Sequence, residues 1–231
     1  SCFQLLACYH FDGRYSVIRS MNPDAILNML QMQHRMNSRV HEDWINQHFE
    51  WYRATWIECG ELMDHVGYKW WKKQTPDIEQ VRLEVVDIWH FGLSALFEPD
   101  TDLEILAAEI ADDFTANAPS EPRDHGASQR IHAATEALAQ HALETKRFSV
   151  PLFHTLMQAC GLSADVLYRH YVGKNVLNFF RQDHGYQDGT YIKEWQGRED
   201  NEHLSELLES LDATAAGFPE AVYEGLASRY A

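Results

Sequence analysis

Glu58 and Glu61 stand three residues apart, and so do Glu84 and Asp87. On a helix that spacing puts each pair of carboxylates on one face. The second pair lies in LEVVDIWHF, an apolar stretch in which an unpaired carboxylate is costly. No Lys or Arg stands three or four residues from Glu84. Converging carboxylates suit a hard divalent cation, which accepts oxygen ligands and offsets their repulsion. Two antiparallel helices joined by the connector from Gly67 to Pro76 would bring the pairs together. Acids at this spacing are also common on solvated helix faces, and Asp64 extends the first run by one more step. A di-iron bundle would require Glu-x-x-His motifs. Asp87-x-x-His90 is a near match and has no second copy, while Glu61 and His65 are four apart.

A second group of chemically capable residues lies between 171 and 201. Lys174, Asn178 and Arg181 fall at i, i+4 and i+7, one helical face carrying a cation, an amide and a guanidinium. That set suits a polyphosphate, and it is equally what a solvated amphipathic helix displays. Tyr191 and Lys193 follow a loop with Gly185 and Gly189 that is able to fold over a ligand. Near the N-terminus, Gln33 and Asn37 are four apart. Side-chain amides carry both donors and acceptors, so such a pair is able to read a pyrimidine edge. Trp44, Trp70 and Trp71 are candidates to stack on a base or to fill the core.

The elements that would carry these residues read as helices almost throughout. Pro23 and Asp24 open a segment with Ile26, Leu27, Leu30 and Met36 at helical spacing. His41 to Val66 reads as one or two helices. Thr75-Pro76-Asp77 starts the next, which runs to about Phe97, is apolar nearly all round, and should be central. Helices are expected over 101–118, 127–147, 150–160, 163–183, 199–211 and 218–230, with a loop from Ser120 to Gly126. No strong strand signal, repeat or low-complexity tract appears.

The 231-residue chain is long enough for a substantial core. A formal net charge of −16 argues against non-specific nucleic-acid binding. It leaves a phosphorylated substrate open, because a bound cation reverses the local sign. Cys2, Cys8, Cys59 and Cys160 show no paired spacing, which suits free thiols in a reducing cytoplasm. No apolar run is long enough for a membrane span. Residues 1–20 read as a peripheral or added leader, and residues 21–231 as the folded domain.

With these residues in view, the sequence resembles the all-α dimeric dUTP diphosphatases, related to the MazG-like nucleotide pyrophosphohydrolases. ECGE at 58–61 and EVVD at 84–87 match ExxE and ExxD. KWWK at 69–72, DIWHFGLS at 87–94, YVGKNVLNFFRQDHGYQDGTY at 171–191, QHRMN at 33–37 and the DW at 43–44 narrow the match to the dUTPase branch. The resemblance spans about Met21 to Leu204 and is loose over 98–160, which would be a variable helical insertion. It implies an all-α bundle with a four-helix metal-binding core, a homodimer, and hydrolysis of dUTP to dUMP and diphosphate, with dUDP also accepted. It implies Mg²⁺, with Mn²⁺ able to substitute, held by Glu58, Glu61, Glu84 and Asp87. Water attacking the β-phosphorus would be activated by Glu58 as general base, with Glu61 second. Lys174, Arg181 and Lys193 would offset charge on the phosphates, and Asn178, Tyr191 and Asn201 would contact sugar, phosphate or outer metal shell. Gln33 and Asn37 would read uracil, with Trp70 lining the base pocket. A dCTP-specific or broader MazG-like pyrophosphohydrolase, and a non-catalytic helical binding protein, are the alternatives.

Overall fold

The computed structural model describes residues 21–116, 126–213, 215 and 217–230; the expected leader, with Cys2 and Cys8, and most of the expected loop at 120–126 lie outside the described residues. The described chain forms α1 (Pro23–Val40), α2 (Trp51–Val66), α3 (Ile78–Ala95), α4 (Leu103–Ala116), α5 (Ala127–Thr145), α6 (Val150–Ala159), α7 (Ala164–Asp183), α8 (Asp200–Ser210) and α9 (Phe218–Arg229). The all-α expectation therefore holds. The segment from His41 to Val66 resolves into a short 3₁₀ turn at Ile45–Gln47 followed by α2. The starts follow from local chemistry. Asn22, Asp77, Ser149 and Ser163 each accept a backbone N–H in the first turn of α1, α3, α6 and α7, satisfying donors that a helix end would otherwise leave unpaired.

One small element departs from expectation. Glu194–Trp195 (β1) pairs antiparallel with Arg198–Glu199 (β2), Glu194 opposite Glu199 and Trp195 opposite Arg198. Gln196 and Gly197 turn the chain with φ of +53° and +77°, the left-handed pair that a tight hairpin needs. Strands of two residues are too short to show an alternating pattern, so the sequence offered no sign of them.

The helix that carries Glu84 is central, as its composition predicts. Val81, Leu83, Val85, Val86, Ile88, Trp89 and Leu93 of α3 are all completely buried. Each such side chain contributes about 1.5–3 kcal/mol through removal from water. α2 lies along α3, and the turn between them is tied by Asp77 N–H donating to the His65 carbonyl at 2.9 Å. α7 packs on α1, α3 and α9. α4, α5 and α6, within residues 98–160, add Ala107, Ile110, Leu138, Phe153 and Leu156 to the same core. Trp89 stacks on Phe153 with ring centroids 4.6 Å apart, joining α3 to α6.

α8 meets α7 closely because Gly173 has no side chain: a Cβ there would lie 2.5 Å from Leu208 Cδ2. That approach puts the start of α8, Asp200 and Asn201, beside Lys174 and Arg181 of α7. Cys59 and Cys160 are free and buried. Among the described residues no helix is long and apolar enough to cross a membrane.

Candidate active site

α2 and α3 bring Glu58, Glu84 and Asp87 together, with one carboxylate oxygen of each within 4.8 Å of the others. Their electrostatics are unfavourable when nothing neutralises them. Burial, then the charges of Asp87 and Glu84, holds the Glu58 carboxyl far above the usual carboxylate range. Burial and Asp87 raise Glu84 as well. Glu84 Oε2 is buried and has no hydrogen-bond partner in the protein. An orphaned buried carboxylate oxygen next to two more acids is the donor set a hard divalent cation takes. The fourth expected ligand, Glu61, sits one turn from Glu58 on the exposed side of α2 and is not part of the close trio.

Nearby groups assign the remaining charges. His65 Nε2 is 3.5 Å from Glu84 Oε1, so this histidine touches the acidic trio. Asp64 pairs with Lys69 at 2.8 Å and stays at the surface. The positive partner of the cluster comes from α7: Lys174 Nζ lies 2.7 Å from Asp87 Oδ2 and donates to Asn201 Oδ1 at 2.7 Å. Lys174 is only 2% exposed. It is thus already engaged with the acids rather than presented as a free phosphate ligand.

Against the acids opens a cavity of about 400 Å³, lined in part by Gln33, Asn37, Glu58, Asp87, Asn178 and Arg181. One wall is aromatic. Trp51 stacks on Phe91 at 6.3 Å and meets Phe49 edge-on at 5.6 Å, and all three rings line the cavity. Such a chamber takes a flat ring against its aromatic wall while polar groups fix its orientation. At the other end Arg181 donates from Nε and Nη2 to both oxygens of Asp200, at 2.8 and 2.9 Å, and from Nη1 to Asn178 Oδ1 at 3.3 Å. Tyr191 donates to the same Asp200 at 2.9 Å. Burial would push Asp200 up, but Arg181 overrides it and the carboxyl stays below the usual range. Asp200 thereby aims the guanidinium whose far side borders the cavity.

Of the residues singled out from sequence, Gln33, Asn37, Trp44, Glu58, Asp87, Asn178 and Arg181 meet around this cavity, and Glu84 lies next to them. Lys174 and Asn201 sit behind Asp87. Tyr191 supports Asp200. Lys193 is exposed and paired with Glu199 at 3.3 Å. Trp70 is 91% exposed and is not among the residues lining the cavity. The cavity is lined instead by Trp44, which the sequence offered as a stacking candidate, and by Phe49, Trp51 and Phe91, which, with Asp200, the sequence did not single out. Phe91 was within reach: it follows the acid-bearing motif by four residues, on the same face of α3 as Asp87. A family model described as dUTPase matches residues 25–186, and no curated protein matches the chain.

Proposed function

Because the chain belongs to the all-α dUTPase family, we propose that this dUTP diphosphatase converts dUTP to dUMP and diphosphate, and accepts dUDP, at the cavity between α1, α2, α3 and α7. The observation that carries the reading is the convergence of Glu58, Glu84 and Asp87 at one end of a chamber whose other surfaces are amides and aromatic rings. A divalent cation, Mg²⁺ or Mn²⁺, would be held by Glu58, Glu84 and Asp87, with Glu61 one turn away, and when bound would offset phosphate charge and acidify water.

The chain's own residues supply the rest. The wall of Phe49, Trp51 and Phe91 packs against the base and excludes water from that side of it. Gln33 and Asn37 hold its polar edge. Arg181, aimed by Asp200, meets the phosphates, and Asn178 steadies the guanidinium. Lys174 holds Asp87 in place through the 2.7 Å ion pair rather than touching the substrate. Glu58 accepts the proton of the attacking water at a carboxylate oxygen. Its side chain lines the cavity beside Glu84 and Asp87, where such a water would sit. The water oxygen bonds to the β-phosphorus, the bond from that phosphorus to the bridging oxygen breaks, and dUMP departs. Family resemblance also supports a homodimer.

The test is release of dUMP from dUTP with Mg²⁺ and with EDTA, beside dUDP, dCTP, dTTP and UTP. Metal-dependent turnover that is fastest on dUTP is expected. No turnover of any nucleotide would remove the reading, and equal specificity constants would replace it with a broader pyrophosphohydrolase.

A further inference from the structure

Behind the cavity the two amides belong to a longer hydrogen-bonded chain. Tyr171 OH and His90 Nδ1 meet Gln33 Oε1 at 2.8 and 2.7 Å. Gln33 Nε2 donates to Asn37 Oδ1 at 2.9 Å. Asn37 Nδ2 donates to Ser94 Oγ at 2.9 Å, and Ser94 Oγ donates to the His90 carbonyl at 2.8 Å. A side-chain amide turned over keeps its shape and exchanges donor for acceptor. The chain therefore has two self-consistent directions. In the reversed one, Ser94 donates to Asn37, Asn37 to Gln33, and Gln33 to both His90 and Tyr171. The Tyr171 hydrogen then goes to the Met29 carbonyl, 2.9 Å away.

The two directions offer opposite faces to a ligand. In the first, one Gln33 N–H is left for the cavity, beside a lone pair and an N–H of Asn37. In the reversed one, both Gln33 hydrogens are consumed and its carbonyl oxygen is what remains. A uracil edge presents carbonyl, N–H, carbonyl. A cytosine edge presents an amino group and a bare ring nitrogen in place of the first two.

His90 distinguishes the directions. Its ring is 4% exposed and stacks on Tyr171 with centroids 4.2 Å apart. Its Nε2 is buried with no protein partner. Burial keeps the ring neutral, so it carries one hydrogen. In the reversed direction Nδ1 must accept, which puts that hydrogen on Nε2 as a buried donor with nothing to bond. A buried N–H with no acceptor is rarer in proteins than a buried acceptor with no donor. In the first direction the hydrogen is on Nδ1 and is used, and Nε2 is left only as an unpaired acceptor.

We propose that His90 is a positioning residue that sets the direction of the Gln33–Asn37 amides, so that the cavity offers donor, acceptor and donor to the base and selects uracil over cytosine. The proposal rests on the uracil reading given above and names what enforces it. Two measurements test it. Long-range ¹H–¹⁵N correlation on the ring nitrogens of the wild-type protein should find the hydrogen of His90 on Nδ1. Steady-state kinetics should find that His90→Phe lowers the dUTP:dCTP ratio of kcat/KM by about 10-fold or more, through a higher KM for dUTP with a smaller change in kcat. Tyr171→Phe deletes one link from either direction and should keep the ratio within about 3-fold. A purely structural role for His90 would depress both nucleotides equally. An Nε2–H tautomer, or an equal loss on dUTP and dCTP in His90→Phe, would overturn the proposal. Failure of the functional reading looks different: wild-type protein that turns over no nucleotide, with the His90 tautomer still measurable.

Discussion

Lys174 Nζ and Asp87 Oδ2 are 2.7 Å apart although they lie on different helices and the lysine is almost wholly out of solvent. This contact answers how α3 tolerates two acids in an apolar setting without a basic neighbour in sequence: the counter-charge arrives from α7. It follows that Lys174→Met leaves Asp87 beside Glu58 and Glu84 without its direct ion-pair partner. Breaking a buried pair from one side costs about 3–5 kcal/mol. Urea unfolding should show a loss of that order without divalent cation and a smaller loss with it. The dUTP kcat/KM in saturating Mg²⁺ should fall about 100-fold, since Asp87 loses its fixed position.

The acidic trio makes the cation-free protein less stable than it would be with neutral side chains. Glu84→Gln removes the charge whose burial is opposed. The melting temperature of the variant in EDTA should exceed that of the wild type. Adding Mg²⁺ or Mn²⁺ should raise the wild-type melting temperature by mass action and leave the variant nearly unmoved. A variant that keeps the full cation-induced shift would remove Glu84 from the ligand set.

Acid should weaken the fold through groups outside the trio. Burial lowers His170 to about 4, so between about pH 6.5 and that value the unfolded chain binds a proton the native state refuses. Stability falls as pH drops through this window, by roughly 3 kcal/mol in total. Asp200 has a depressed pKa. Its contribution is present above the unfolded value of about 3.9 and is lost as pH falls through the folded one. Glu58 and Glu84 act in the opposite sense, because their raised values remove stability as pH rises. Comparing urea midpoints of wild type and His170→Gln from pH 7.5 to 4.5 isolates the histidine: the two should converge as pH falls.

Gly173→Ala should separate α8 from α7. Leu208, 1% exposed, has little room to give way to a new methyl group, and overpacking of this kind costs about 1–3 kcal/mol. Because α8 delivers Asp200 to Arg181, the KM for dUTP should rise along with the loss of stability. Unchanged KM with lowered melting temperature would mean that the α7–α8 contact supports the fold alone.

The acid pairs, the helical architecture and the amide pair were legible because each is a local pattern: spacing of three or four on a helix, a Pro or capping residue, an apolar run. What was not legible depends on contacts distant in sequence. Lys174 read as a phosphate ligand because nothing in its neighbourhood announces Asp87, and Asp200 was not singled out because its partner Arg181 lies in the preceding helix. Trp70 carried weight as part of a motif, yet its indole is turned to solvent. Phe91 and Trp51 were not singled out, since an apolar ring beside a cavity and one inside a core have the same sequence environment. His65 was set aside as a ligand and proves to touch Glu84.

The side-chain chain from Tyr171 through Gln33 and Asn37 to Ser94 joins positions up to 138 residues apart in sequence. Every member is donor or acceptor according to its neighbours, so no position is free to drift alone. A single substitution in it strands a hydrogen or a lone pair somewhere else along the run. If this chain sets base preference as proposed, that preference would be inherited epistatically: a shift toward another base would pass through a poorer intermediate unless two positions on different helices change together.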